Sequence, residues 1–323
     1  MSESEIPNDI LALLELTDGY SFRNIVDYLR CSNTEGNFIF SKNKITYKQH
    51  NAQSSLMNKF TIKACKVKYI FNAKNDILVG VQLQELQTHT KTISKKDGIR
   101  IYLKPDDPNV YIQILSTNKG SSAGNVNFVR TKEIELCDFS LPKFTRKNDE
   151  PNTIAVVGEF AKTCKTITSI KCDYVIFQGY PRGVKLSASL EGHIVGKAAK
   201  FGEIEDFLSG NNKYPDIRSM ISNLPSTSNF GLNSNDKKKV KIMLRPQEGV
   251  PTIRAPCSVV QYLGKTNNTS QNGIIRIFLE EKRPLRILFP VGYYGKLVVL
   301  IRDQSVPIGE EESKDNKDET ESQ

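Results

Sequence analysis

His50, His89 and His193 are the only imidazoles in this 323-residue chain, and they fall in three separate segments with no metal-ligand spacing. The six cysteines, at Cys31, Cys65, Cys137, Cys164, Cys172 and Cys257, form no CxxC pair. They sit within apolar stretches and read as reduced core thiols of an intracellular protein. Glu280 and Glu281 are adjacent, so on a strand they would point to opposite faces. In the turn expected there they are solvated charges, not an acid/base couple. The run from Gly192 to Ala198 looks like a phosphate loop, but it is one residue short and has Ala where a hydroxyl must meet magnesium. No catalytic residue, metal or cofactor is expected, and the chain reads as a binding protein and not an enzyme.

The chemistry that remains is that of cations at helical spacing. Phe22, Ile25, Val26 and Leu29 recur at i, i+3, i+4 and i+7 and bury one face of a helix, while Arg23, Asp27 and Arg30 share the opposite face. β-type residues follow at Phe38–Phe40 and Ile45–Tyr47, separated by a tight turn. The same helix-then-hairpin unit recurs from Gly158. Phe160, Cys164 and Ile167 form its apolar face, Lys162 and Lys165 lie to the side, and strands follow at Tyr174–Phe177 and Val184–Ser187. Phe22 to Phe160 spans the same distance as Leu29 to Ile167, and Phe40 to Phe177 differs by one residue. A second echo pairs Gly98-Ile99-Arg100-Ile101-Tyr102-Leu103 with Gly273 and Ile275-Arg276-Ile277-Phe278-Leu279. Such long-period similarity predicts two copies of one α+β domain, with antiparallel sheets and helices on one face.

Two further helices carry cations. Lys91 and Lys95 lie on the polar side of one whose buried side is Leu83, Leu86 and Ile93. Lys265 ends another that starts near Ala255-Pro256 and turns Val260 and Leu263 inward. If both copies pack their helices on one side of a continuous sheet, these residues form one positive surface. Flexible cations of that kind hold phosphates without reading sequence.

The formal net charge is +9; the stretch from Glu310 to Gln323 has seven acids against Lys314 and Lys317, −5, so the remainder carries +14. That excess predicts a polyanionic partner, and the tail reads as a solubilising end. The N-terminus lacks a basic n-region and a secretory apolar core, and no apolar run approaches the roughly 18 residues of a membrane span. Residues 1–133 form the expected first domain and 152–303 the second. Residues 117–151 read as an interdomain connector with a short strand at Ile134-Glu135-Leu136, 203–236 as a surface insertion and 304–323 as the acidic tail. Lys237-Lys238-Lys239-Val240-Lys241 is expected to begin a strand.

Gly19 to Ser41, Gly80 to Ile99, Gly158 to Ser169 and Gly183 to Ser189 together resemble the DNA sliding clamps of the proliferating cell nuclear antigen family, over about Gly19 to Asp303. The resemblance implies a homotrimeric ring of six similar domains, with duplex DNA threading a hole lined by helices. It further implies a processivity factor that tethers DNA polymerase and other clamp-binding peptides and is placed on DNA by a clamp loader. The family's channel positions fall on Arg23, Arg30, Lys91, Lys162, Lys165 and Lys265, with Lys95 nearby. Asn24, Thr88 and Ser258 stand where the family has Lys or Arg.

By the same resemblance Val110–Leu115 and His193–Ala199 are the edges that join subunits. The partner-peptide groove falls on His50, Ser54, Ser55, Met57, Ile134, Leu136, Ile301 and Arg302. Ser54-Ser55 and Arg302-Asp303 depart there from the family's His-Val and Ala-Pro, so a different partner motif is implied. The basic balance and the abundance of Asn and Lys suggest a divergent clamp from an AT-rich genome such as that of a large DNA virus, acting in the nucleus or in a cytoplasmic replication factory. Two alternatives stay open: an open monomeric DNA-binding accessory or transcription factor, and one subunit of a heteromeric checkpoint-type clamp.

Overall fold

A computed structural model describes residues 9–116, 126–136, 150–189, 196–203, 249–270 and 273–304. The first half runs β1 (Ala12–Leu16), α1 (Gly19–Ser32), β2 (Glu35–Ser41), β3 (Lys44–His50), β4 (Leu56–Lys63), β5 (Lys68–Phe71), β6 (Ile77–Gln82), α2 (Leu83–Thr90), β7 (Gly98–Leu103), β8 (Asn109–Leu115) and β9 (Val126–Arg130). The second runs β10 (Thr153–Val156), α3 (Val157–Thr168), β11 (Tyr174–Tyr180), β12 (Arg182–Ser189), β13 (Gly196–Glu203), β14 (Thr252–Pro256), α4 (Cys257–Leu263), β15 (Ile274–Phe278), β16 (Leu285–Val291) and β17 (Gly295–Ile301). Among the described residues each half thus repeats strand, helix, three strands, then strand, helix, three strands, with β5 an additional strand in the first copy.

Local chemistry accounts for the elements. Asp18 caps α1 by accepting a hydrogen bond from the Ser21 amide at 2.9 Å, which satisfies one of the donors left over at a helix start. Pro256 stands just before α4, where its fixed φ suits helix entry. The strands alternate. In β16, for example, Leu285, Ile287, Phe289 and Val291 are buried while Arg286, Leu288 and Pro290 are half-buried.

All pairings among the described residues are antiparallel. One sheet has the order β5-β1-β7-β8-β9, another β13-β12-β11-β14, and the largest β10-β15-β16-β17-β4-β3-β2-β6. The largest crosses from one half to the other where β17 pairs with β4 over the register Gly295↔Ile62 to Ile301↔Leu56. This is the continuous antiparallel sheet expected of a duplicated α+β clamp fold. Its inner face, with Tyr47, Phe60, Ile277, Phe289 and Leu297, packs into one hydrophobic core with Phe22, Ile25, Leu29, Phe160 and Ile167 of the helices.

Two expectations are corrected. Within 117–151 the strand is at Val126–Arg130, not Ile134–Leu136, and it pairs with β8 from Asn109↔Arg130 to Gln113↔Val126. Consequently Val110–Leu115 is an interior strand, and β9 is the edge of that sheet. The sequence Val-Asn-Phe-Val-Arg lies in a Ser-, Gly- and Asn-rich context that hides so short a strand. His193, Cys137, Lys237–Lys241, residues 204–236 of the expected insertion and residues 305–323 of the expected tail lie outside the described residues.

Candidate nucleic-acid interface

The helices of the two halves form one row. α2 packs on α1, α1 on α4 and the 3-10 turn that follows it (Thr266–Asn268), and α4 on α3, all on the same side of the large sheet. One contact marks the junction between halves, and a second marks the neighbouring packing of α4 on α3. Lys265 Nζ lies 3.0 Å from Cys31 Sγ, which joins the end of α4 to the end of α1. At Gly264 an added Cβ would stand 2.8 Å from Lys165 Cγ, so the Lys165 stem lies directly over the α4 terminus. Arg30, Thr34, Glu35, Gln84 and Lys265 line a cleft at this junction.

Lys91, Lys95, Lys162, Lys165, Lys265 and Arg30 are all exposed, but α2 ends at Thr90, so Lys91 is its C-cap and Ile93 and Lys95 lie in the turn after it, not on the helix as expected. Arg23 differs. It is half-buried, its Nη1 donates to the Ile93 carbonyl at 2.9 Å, its Nε lies 3.9 Å from Asp27 and its guanidinium lies over the Tyr20 ring. Its charge remains, but one donor ties α1 to the turn after α2. Lys95 Nζ reaches the same Tyr20 ring at 6.0 Å, bringing Arg23 and Lys95 to one aromatic side chain. Asn24 is buried and Thr88 returns its hydroxyl to the Gln84 carbonyl. Among the described residues no His/Cys/Asp/Glu cluster of three or more could hold a metal, and no helix is long and apolar enough to cross a membrane.

The residues of the expected peptide groove fall in two places on the large sheet. Ser54, at φ 51°, and buried Ser55 make a tight turn in which Asn51 donates to Ser55 Oγ at 3.0 Å and accepts from the Leu56 amide. The Arg302 amide donates to the Ser55 carbonyl at 3.0 Å, so the turn and the end of β17 meet. His50 is half-buried, its carbonyl accepting from Asn33 Nδ2, and half-buried Met57 pairs with Leu300. The start of the connector lies instead at β2 and β6. There the Lys132 amide donates to the Gly80 carbonyl, and Asn37 Nδ2 donates to the carbonyls of Ile134 and Glu135 at 3.1 Å each. Leu136 is 54% exposed. Ile301 leaves the set: it pairs with Leu56 on the inner face and is fully buried. Sequence reading missed Asn37 and Gly80, whose roles depend on a connector segment far away in the chain, 97 residues from Asn37 in the case of Ile134.

No family model matches the chain. Over 136 residues it is 29% identical to a probable DNA polymerase sliding clamp of Acanthamoeba polyphaga mimivirus, a match of 40% of this chain; the chain spans 29% of that protein's length. The crystal structure of proliferating cellular nuclear antigen from Entamoeba histolytica superimposes with a TM-score of 0.65 at 14% identity, over 91% of this chain and 99% of that one. A PCNA2–PCNA3 complex from Sulfolobus tokodaii gives 0.63 at 14%, over 91% and 100%. Little of the side-chain identity is shared with these structures but nearly the whole backbone path is, and the chain is a divergent protein of the PCNA-like sliding-clamp fold.

Proposed function

We propose that this protein is a DNA sliding clamp that encircles duplex DNA with its helix row inward and tethers a DNA polymerase and other replication or repair proteins. The observation that carries the reading is the single row α2-α1-α4-α3, drawn from both halves, with Arg30, Lys91, Lys95, Lys162, Lys165 and Lys265 exposed along it. Such a surface meets phosphates of any sequence and lets the protein slide. The mimivirus relative is itself described as a probable DNA polymerase sliding clamp, which supports the same role.

Ring closure needs two unlike sheet edges, and β9 and β13 are both terminal strands of their sheets. On β9, Val126 and Phe128 are 43% and 59% exposed, apolar side chains that suit a partner strand. In this reading β9 and β13 of successive subunits pair head to tail in a homotrimer, a clamp loader opens the ring, and the connector and the Ser55–Arg302 region receive partner peptides. The protein acts where its DNA is copied, in a nucleus or a cytoplasmic viral factory.

Light scattering tests the assembly. A mass near three times 36.4 kDa supports the ring, and a monomer at micromolar concentration counts against it. Once loaded on end-blocked linear DNA a ring stays bound at high salt, whereas an open binder dissociates. The likeness to the PCNA2–PCNA3 complex favours a second reading, a heteromeric ring, in which this chain alone stays monomeric and a ring-sized particle forms with a different clamp subunit.

A further inference from the structure

The strands β15, β16, β17, β4 and β3 are consecutive neighbours in the large sheet, and none of them contains Asp or Glu. Their basic residues are Lys44 and Lys48 on β3, Lys59 and Lys63 on β4, with Lys296, Arg286 and Arg276 one each on the other three. The register puts all of them on one face. Lys48 stands opposite Lys59 and Lys44 opposite Lys63. Lys59 pairs with Val298, Val298 with Leu288 and Leu288 with Arg276, while Lys296 faces Thr61 and Arg286 faces Leu300. The alternate residues, including Tyr47, Phe60, Ile277 and Leu297, are buried toward the helices. The cations therefore occupy the side of the sheet turned away from the helix row.

Like charges placed directly opposite on paired strands repel. Lys59 registers this: burial first, and then Lys44, Lys48 and Lys296, hold its ammonium below the usual lysine range. Carboxylates border these strands at both ends: Glu35 opens β2 and Asp76 accepts from Ser41 Oγ at one, and Glu280 and Glu281 form the turn between β15 and β16 at the other. Arg286 is committed to the Phe278 ring, 3.9 Å from its centroid, but Lys44, Lys63, Arg276 and Lys296 are exposed. A face that concentrates mutually repelling cations is relieved by an anionic ligand.

We infer that this outward face is a second DNA-binding surface, one that takes the phosphates of a duplex lying outside the helix row. Four interstrand steps of about 4.8 Å spread the cations over about 19 Å. Duplex DNA carries one charge per about 1.7 Å, so about eleven phosphates lie within that length. The aromatic side chain of these five strands on this face is Phe278, which is fully buried, so the face offers no stacking platform for single-stranded bases. Contact is then through phosphates, with no base reading.

A dumbbell duplex whose two hairpin loops each carry a bound protein block wider than the hole cannot thread a closed ring, so it reports surfaces outside the hole. The full chain should bind a labelled dumbbell, and the variant Lys48→Gln/Lys59→Gln/Lys296→Gln should bind about tenfold more weakly. The slope of log affinity against log salt should fall by up to about 2.7, at about 0.9 per lost phosphate contact. Its thermal unfolding should be unchanged or shifted upward, which separates lost contacts from lost fold. Equal affinity and slope in variant and parent would overturn the proposal. So would a variant that keeps dumbbell binding but loses polyglutamate or phosphatidylserine vesicles, which reassigns the face to an acidic protein or a lipid surface. Lys162→Glu/Lys165→Glu, on the helix row, should leave dumbbell binding by an assembled ring unchanged. A failure of that pair to affect a loaded ring would count against the encircling role and leave the outer surface standing.

Discussion

Lys59 shows how a single side chain reports its surroundings. Its lowered pKa means that the folded state disfavours the charged ammonium, so near neutral pH, where both folded and unfolded chains are protonated, Lys59 is a full handicap to stability. The handicap is relieved as pH rises through the lowered folded pKa toward 10.5, the ordinary lysine value. Lys59→Gln removes it at every pH. The Tm of the parent should therefore gain on that of the variant as pH approaches 10.5; a difference constant with pH would refute the repulsion among Lys44, Lys48, Lys59 and Lys296. Some of this chemistry is legible in the sequence and some is not. The helix cations are read from 3.6-residue spacing, because a helix places its own neighbours. The Lys48–Lys59 opposition depends on which strands pair, and Arg23 spends a donor on Ile93, seventy residues away; local periodicity carries neither fact.

Helices with strong apolar periodicity are legible in the sequence to within a few residues, since burial of one face decides them whatever the neighbours do. α1 and α3 hold Phe22, Ile25, Leu29, Phe160, Cys164 and Ile167 inside the core as the spacing requires. With Lys162 and Lys165 exposed on α3, changing both to Glu should leave the fold intact and reduce DNA-dependent stimulation of a cognate polymerase. Unchanged stimulation would remove α3 from the channel. Short strands and connectors were harder. β9 has five residues and, among the described residues, pairs with β8 alone, and the connector start is held by Asn37 and by Gly80, where an added Cβ would run into the Lys132 carbonyl. Gly80→Ala must therefore push the connector off β6, at a cost of about 1–3 kcal/mol. Faster proteolysis between residues 131 and 136, with the rest of the molecule still resistant, is the expected outcome.

At the scale of the molecule the duplication is plain because equal spacing of apolar residues survives divergence, whereas the resemblance puts the free edge one strand too early, on Val110–Leu115 and not on β9. In the ring reading that edge is β9, and Phe128 is its most exposed apolar side chain. Phe128→Asp should leave the stability of the monomer nearly unchanged, as for most surface substitutions within about 0.5 kcal/mol. It should also drop the mass in solution from three times 36.4 kDa to 36.4 kDa. An undiminished trimer would place the subunit contact elsewhere.

The seven-residue ladder between β17 and β4 has a consequence for how the two halves can be taken apart. β17, the last described strand, is stitched into a sheet begun by the first hundred residues, so the covalent link through 117–151 is not what keeps the halves together. Cutting that link should yield a nicked particle that still migrates as one body, and two separately expressed fragments should find each other and reconstitute it.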